Sequence, residues 1–314
     1  MAISWGEKLV SLRRAIGQPS IILPGMLLVG LVLVQPSVVL AQARSSHAGS
    51  FSVAQQEALK ATSSRAAQEN AIQAIPFDRL DPAARSKVSA VLNDVSLFRR
   101  LPVDVMQCDP ALYLYLLDHP DVVVNVWQAL GISQVKLEQT GPETFRLTDD
   151  AGTVGAIQVL YRDQNTRVIY TDGSYNGPVF GRQLQGRILL VVRSAYIRRP
   201  DGHCYVTTRV DSFTQLDNIG VEILTKTIQP LVNKTADLNF IQTANFVASL
   251  ARTAEVNQMG LVRLAKRLPH VQPEVRDGFV QLVERIGQDA ASKASDENGT
   301  AAVIADRPTG TATR

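Results

Sequence analysis

Two arginines carry the sharpest chemical signal in this chain. They lie in the stretch RILLVVRSAYIRRPDGHCYVTTRVDSFTQL, where two long runs rich in Val, Ile, Tyr and Thr flank Arg199-Pro200-Asp201-Gly202. Pro200 presets φ for a type I turn, and Gly202 can take the left-handed position after it, so the stretch predicts a β-hairpin. A three-residue loop pairs Arg199 with His203. That register sets Val192 opposite Val210 and Arg193 opposite Arg209. Like charges facing each other across strands repel by ~0.2–1 kcal/mol, and Asp211, diagonal to Arg193, can offset part of that. Such a pair could receive a ligand carboxylate or phosphate. The commoner arrangement is a solvated outer face with one weak salt bridge.

Other residues with chemical potential are sparse. Cys108 and Cys204 are the two cysteines. In an exported chain they could form one disulfide, the alternative being two free thiols. Neither has a CxxC partner, and His203 points to the opposite face of a strand from Cys204, so no metal site is expected. His119 stands before Pro120 with no paired acid or nucleophile and reads as a structural hydrogen-bonder. GxSxG, HExxH, GxxxxGK[ST] and a helix-opening GxGxxG are all absent, so neither a catalytic residue nor a cofactor is expected. Trp127, Tyr161, Tyr170, Tyr196 and Phe246 could line an apolar cavity, although plain core is the commoner place for aromatics.

The elements that must position these residues follow from periodicity. Residues 44–75 are rich in Ala, Gln and Ser and read as an exposed helix or linker. Asp81-Pro82 and Asp109-Pro110 are helix starts, a capping carboxylate followed by Pro at the first helical position. Val88, Val91, Leu92, Val95 and Phe98 recur at helical spacing, and Leu101-Pro102 ends that helix. Pro120 separates two strongly apolar helices, the second closed by Gly131. Residues 132–216 read as six strands in succession: 134–139, 144–148, 156–162, 166–171, 186–198 and 203–216. With no helix between them, an antiparallel meander is expected. The even-numbered hairpin face (Ile188, Leu190, Val192, Tyr196, Cys204, Val206, Val210) is expected to meet the core. Asn176–Gly181 reads as a loop at the mouth of the sheet. Helical pattern returns at Asp217 and runs to about Leu268, split by Pro230. A last helix covers Glu274–Ile286, and the tail from Gln288 reads as disordered.

Composition bounds the class and the compartment. Of 314 residues, 45% are hydrophobic and 19% charged, enough to bury a core. Formal net charge is +3; Lys8, Arg13 and Arg14 against Glu7 place +2 of this in residues 1–43. The remainder is nearly neutral, which removes the electrostatic case for nucleic acid as a partner. A basic start, the apolar run Ile21–Val34, Pro36 and then Ala41-Gln42-Ala43 form an export signal with cleavage after Ala43. The alternative is an uncleaved anchor over residues 21–40.

A helix, then an antiparallel meander, then a long helix resembles the START-like (SRPBCC, helix-grip) superfamily over about Asp121–Leu268. The resemblance implies an α+β fold in which the meander grips a long C-terminal helix, here with extra N-terminal helices. Together with the export signal and the tail composition, the expected division is a signal peptide (1–43), a helical extension (44–108), a START-like domain (109–287) and a tail (288–314). The resemblance also implies a cavity for a lipid or another hydrophobic or amphipathic small molecule. The expected function is therefore an exported, non-enzymatic binding protein, periplasmic or secreted. The alternatives are an envelope-associated structural or interaction protein with a filled core, acting through its N-terminal helices, and a hydrolase or cyclase on the same fold. The export reading has a direct check. N-terminal sequencing of protein recovered outside the cytoplasm should begin near Arg44, and residues 1–43 found intact in the membrane fraction would make it an anchored protein.

Overall fold

The computed structural model describes residues 59–177, 183–200, 202–217, 224 and 228–305. The expected export segment 1–43 lies outside them, as do Asp201 of the hairpin turn, residues 178–181 of the expected loop and residues 306–314 of the tail. No helix of the described residues is long and apolar enough to cross a membrane.

The chain opens with helix α1 (Arg65–Gln73), a 3-10 turn (Phe77–Arg79) and helix α2 (Pro82–Asn93). Two short strands follow, β1 (Leu97–Arg100) and β2 (Asp104–Gln107), then helices α3 (Pro110–Asp118) and α4 (Pro120–Ala129). The meander comprises β3 (Lys136–Gly141), β4 (Thr144–Thr148), β5 (Thr153–Arg162), β6 (Thr166–Tyr175), β7 (Leu184–Arg198) and β8 (Cys204–Leu216). Helices α5 (Gln229–Val256), α6 (Gln258–Ala265) and α7 (Pro273–Ala305) complete the fold. The caps act as their residue types require. Asp81 Oδ1 accepts from the Ala84 N–H at 2.7 Å, and Asp109 Oδ1 accepts from Ala111 and Leu112, each with Pro opening the helix.

The fold is α+β: one eight-stranded antiparallel sheet in the order β1-β8-β7-β6-β5-β4-β3, with β2 also pairing with β8. The long helix α5 on one face makes the arrangement helix-grip-like. The hairpin has the expected register, with Val192 opposite Val210 and Arg193 opposite Arg209. Gly202 takes φ +79°, the left-handed value the turn demands. Even-numbered hairpin residues face α5: Val192 and Val210 pack with Leu101 against Ala236 and Phe240. On the same face Ile188 and Val206 join a large apolar cluster with α3, α4, α5, α6 and α7.

Five expectations need correction. The odd hairpin face is not a free outer surface: α1 and α2 cover Leu189, Val191 and Phe213, so the sheet lies between two helical layers. The expected exposed helix or linker includes α1, which buries Ala67 and Ala71 on that sheet. The helix carrying Val88 ends at Asn93, and Leu97–Arg100 is a strand in which Phe98 meets Phe213, ring centroids 5.1 Å apart. Thus the segment 44–108 supplies two strands as well as helices. Pro230 does not split α5; it stands in its first turn, where no N–H partner is lost, and α5 continues unbroken for 28 residues. Helix α7 also continues past the expected end at Ile286 to Ala305.

One ion cluster ties these layers. Asp211 on β8 has no solvent exposure and accepts from Arg100 Nε at 2.6 Å and Arg193 Nη2 at 2.9 Å. Arg100 Nη2 also donates to the Ala67 carbonyl of α1 at 3.2 Å and to Asn70 Oδ1 at 3.0 Å. Asp211→Ala would strip the buried Arg100 and the half-buried Arg193 of their counter-charge. We predict a loss of about 3–5 kcal/mol in urea unfolding; a loss below about 1 kcal/mol would show that the cluster is a solvated surface pair.

Candidate functional site

The candidate ligand-contacting residues divide between the two faces of the sheet. Trp127, Phe246 and Tyr196 lie on the α5 face. Tyr161 and Tyr170 lie on the α1–α2 face. Arg193 and Arg209, odd-numbered hairpin residues, share that second face. A pleated sheet sends alternate side chains to opposite sides, so no one cavity is lined by all seven.

On the α5 face, the ends of α4 bring Trp127 into place. Gly131, at φ +65°, closes the helix, and the Ile132 N–H donates to the Trp127 carbonyl at 2.8 Å. The indole meets the Phe246 ring nearly edge-on, centroids 5.5 Å apart and planes at 62°. Tyr196 sits edge-on to Tyr113 at 6.2 Å and donates its hydroxyl to the Gln164 carbonyl at 2.7 Å. Tyr113 in turn shares hydrogen bonds with Ser194 and Thr208 across β7 and β8.

Helix α5 contributes what the sequence reading did not single out. Counting back from Phe246 at helical spacing reaches Asn239 and Thr235, both buried. Both atoms of the Asn239 side-chain amide are buried and without a hydrogen-bond partner. Such an amide costs its desolvation, about 1–3 kcal/mol. The same stripe therefore runs from an apolar end at Phe246 and Leu250 to a polar, unsatisfied end at Asn239, about 10 Å away along the helix.

On the other face, the aromatics are committed to structural contacts. Tyr161 follows a register shift in β5 and donates to Asp163 Oδ2 at 2.7 Å, while Arg79 Nη1 donates to its hydroxyl oxygen at 2.9 Å. Lys87 of α2 stands over the Tyr170 ring, 5.3 Å from its centroid.

Cys108 and Cys204 are both free, and the Cys108 N–H donates to the Cys204 carbonyl at 3.1 Å, so the two face each other across the ladder. Burial raises the Cys108 thiol well above its ordinary range and keeps it protonated. Among the described residues no group of three His, Cys, Asp or Glu side chains is placed to hold a metal.

The start of α4 holds a buried titratable group. Asp121 has no solvent exposure, and among the described residues its carboxylate oxygens make no well-formed hydrogen bond, only a weak approach to the backbone N–H groups of Asp121 and Val122. Burial pushes its pKa up to about 6, against the smaller pull of the backbone N–H groups at the helix start. Its charge adds to the burial that raises the nearby Tyr115 hydroxyl to about 12. His119 is held below its usual value, first by burial, and its Nδ1 lacks a partner. No nucleophile stands with these groups, and Tyr115 donates its hydroxyl to the Val275 carbonyl.

No protein-family profile matches the chain, and no curated protein matches it. Three solved structures are weakly similar. A conserved protein from Geobacillus kaustophilus has 11% identity over 46% of this chain and 92% of its own, with a TM-score of 0.31. An uncharacterized protein from Rhizobium leguminosarum has 14% identity over 48% and 94%, with a TM-score of 0.30. Dicamba monooxygenase bound to dicamba has 11% identity over 70% and 65%, with a TM-score of 0.32.

Asp121 makes a pH prediction. A carboxyl whose folded pKa of about 6 stands above its ordinary 3.8 keeps its proton in the folded chain while the unfolded chain releases it. Its contribution to stability therefore falls as pH rises from about 4 to about 6 and is flat beyond. Asp121→Asn should remove that fall and raise stability at pH 7 by up to about 3 kcal/mol. Urea midpoints measured between pH 4 and 7 check this; parallel profiles for the two proteins would contradict it.

Proposed function

We propose that this chain is an exported, non-enzymatic binding protein of START-like type, which holds a hydrophobic or amphipathic, lipid-like ligand between α5 and the sheet. The observation that carries the reading is the two-ended α5 stripe. Phe246 beside Trp127 offers an aromatic contact for an apolar chain. Asn239 offers a donor and an acceptor that no described residue uses. A ligand with an apolar body and a polar head would recover the desolvation of that amide, which an apolar filler could not. The export half of the proposal rests on the basic, apolar, Ala-Gln-Ala succession of residues 1–43.

One observation favours a second reading. The apolar cluster containing Trp127 and Phe246 continues through α3, α4, α6 and α7. A filled core of this kind supports an envelope-associated structural or interaction protein.

Ligand titration separates the two. The chain has two tryptophans, so Trp5→Phe leaves Trp127 as the sole reporter. Fatty acids, phospholipids, isoprenoids and hydrophobic dyes are titrated while indole emission is followed. We expect at least one saturable binder that shifts Trp127 emission. Phe246→Arg should abolish the response in protein whose circular dichroism is unchanged. Asn239→Leu should weaken head-group-bearing ligands by up to about tenfold and spare the wholly apolar ones. If no compound binds and Asn239→Leu only raises stability, the filled-core reading replaces this one.

A further inference from the structure

We propose that the paired arginines Arg193 and Arg209, on the sheet face away from α5, form a binding site for an oxyanion of the phosphate class. The site is separate from the α5 ligand reading and stands whether or not that reading holds.

Arg193 and Arg209 occupy directly opposite positions on β7 and β8, which places their Cβ atoms about 4.5–5.5 Å apart. Arg100 lies on the same face, because it pairs with Asp211 on β8. Three guanidinium groups thus surround one carboxylate, leaving an excess of two positive charges at a half-buried spot. Asp211 is already committed: Arg100 takes Oδ1 at 2.6 Å, and Oδ2 accepts from Arg100 at 3.2 Å and from Arg193 at 2.9 Å. Three of the four acceptor positions of that carboxylate are taken and none by Arg209, which feels Asp211 through charge alone; no described residue accepts a hydrogen bond from the Arg209 side chain. Arg193 Nε is buried and also without an acceptor. Burial, then the charges of Arg100 and Arg193, depress the pKa of Arg209, yet a guanidinium stays protonated at neutral pH. The fold therefore keeps two adjacent guanidinium groups with unused donors where a purely structural design would place one.

Among the described residues the site has an open side. Helix α1 reaches as far as Arg100 through Ala67 and Asn70. Past it the same strand face carries Thr207 opposite Ala195 and Ile197 opposite Tyr205, and Ile197 is 60% exposed. Val105, opposite Thr207, is 56% exposed. An anion can approach across this rim without displacing a helix. Two guanidinium forks match the several oxygens of a phosphate group better than a single carboxylate does.

The test uses the full chain and inorganic phosphate. Arg209→Gln is the informative variant, since among the described residues Arg209 forms no direct ion pair, only a longer-range attraction to Asp211. Phosphate should raise the melting temperature saturably, beyond sodium chloride of matched ionic strength. Calorimetry should show Arg209→Gln binding phosphate roughly tenfold to a hundredfold more weakly, the range a lost charged donor spans. Vesicles identify the source of the group. Sedimentation with phosphatidic acid vesicles but not phosphatidylcholine vesicles, lost in Arg209→Gln, assigns a lipid headgroup; binding of phosphate without vesicle binding assigns a soluble ligand. Equal shifts with phosphate and chloride, or an Arg209→Gln protein that responds like the wild type, would overturn the proposal.

Discussion

The fold depends on one buried carboxylate. Asp211, on the central part of β8, draws Arg100 from β1 and Arg193 from β7, and Arg100 reaches on to the Ala67 carbonyl of α1. Four elements are thereby fixed at one point. Register is at stake, because a slip of one residue in β1 or β7 would send every side chain of that strand to the wrong face. With helices packed on both sides of the sheet, neither face can accept such a slip. A buried ion pair is a weak source of net stability compared with apolar packing, but an expensive one to break. Its role here is to specify which strands lie beside β8 and where the N-terminal helices dock. A second pair repeats the device on the other face, where Arg99 Nε donates to Asp237 of α5 at 3.0 Å.

That constraint shapes both candidate sites. Alternation along β1 sends Arg100 towards α1 and Arg99 towards α5, so adjacent residues clamp opposite layers. The α5 face is largely apolar around Trp127 and Phe246 and becomes polar at Thr235 and Asn239. The α1–α2 face is apolar under the helices and cationic at their rim. One face thus suits an apolar or amphipathic body, and the other an anion. Among the described residues neither has an acid–base pair beside a nucleophile; the buried Asp121 and the half-buried His119 at the start of α4 stand among packing residues.

Much of this was legible in the sequence, and the exceptions have physical causes. The hairpin could be read because Pro200 and Gly202 fix a turn geometry, and two long β-branched runs leave one register that keeps Val192 and Val210 together. Strands β1 and β2 could not, since four residues give too little periodicity to separate strand from helix. Phe98 also continued the helical spacing of Val95. Helix α1 hid its buried face because Ala67 and Ala71 supply the contact, and alanine leaves no apolar stripe to count. Pro230 read as a break because helix interiors reject proline, whereas the first turn accepts it. Arg193 and Arg209 were found as a pair, but the helices above their face were not, so its burial was missed. Asn239 carries no such signal, because an isolated polar residue on a helix gives no sign of its environment until its neighbours are placed.

The central claim is that α5 presents an apolar and a polar end to a ligand that the native protein carries. Native mass spectrometry of protein purified from its own source addresses this most directly. The account predicts a discrete adduct of one amphipathic molecule per chain, released by organic solvent and missing from folded Phe246→Arg protein prepared in the same way. A bare chain mass under gentle conditions, identical for wild type and variant, would contradict it.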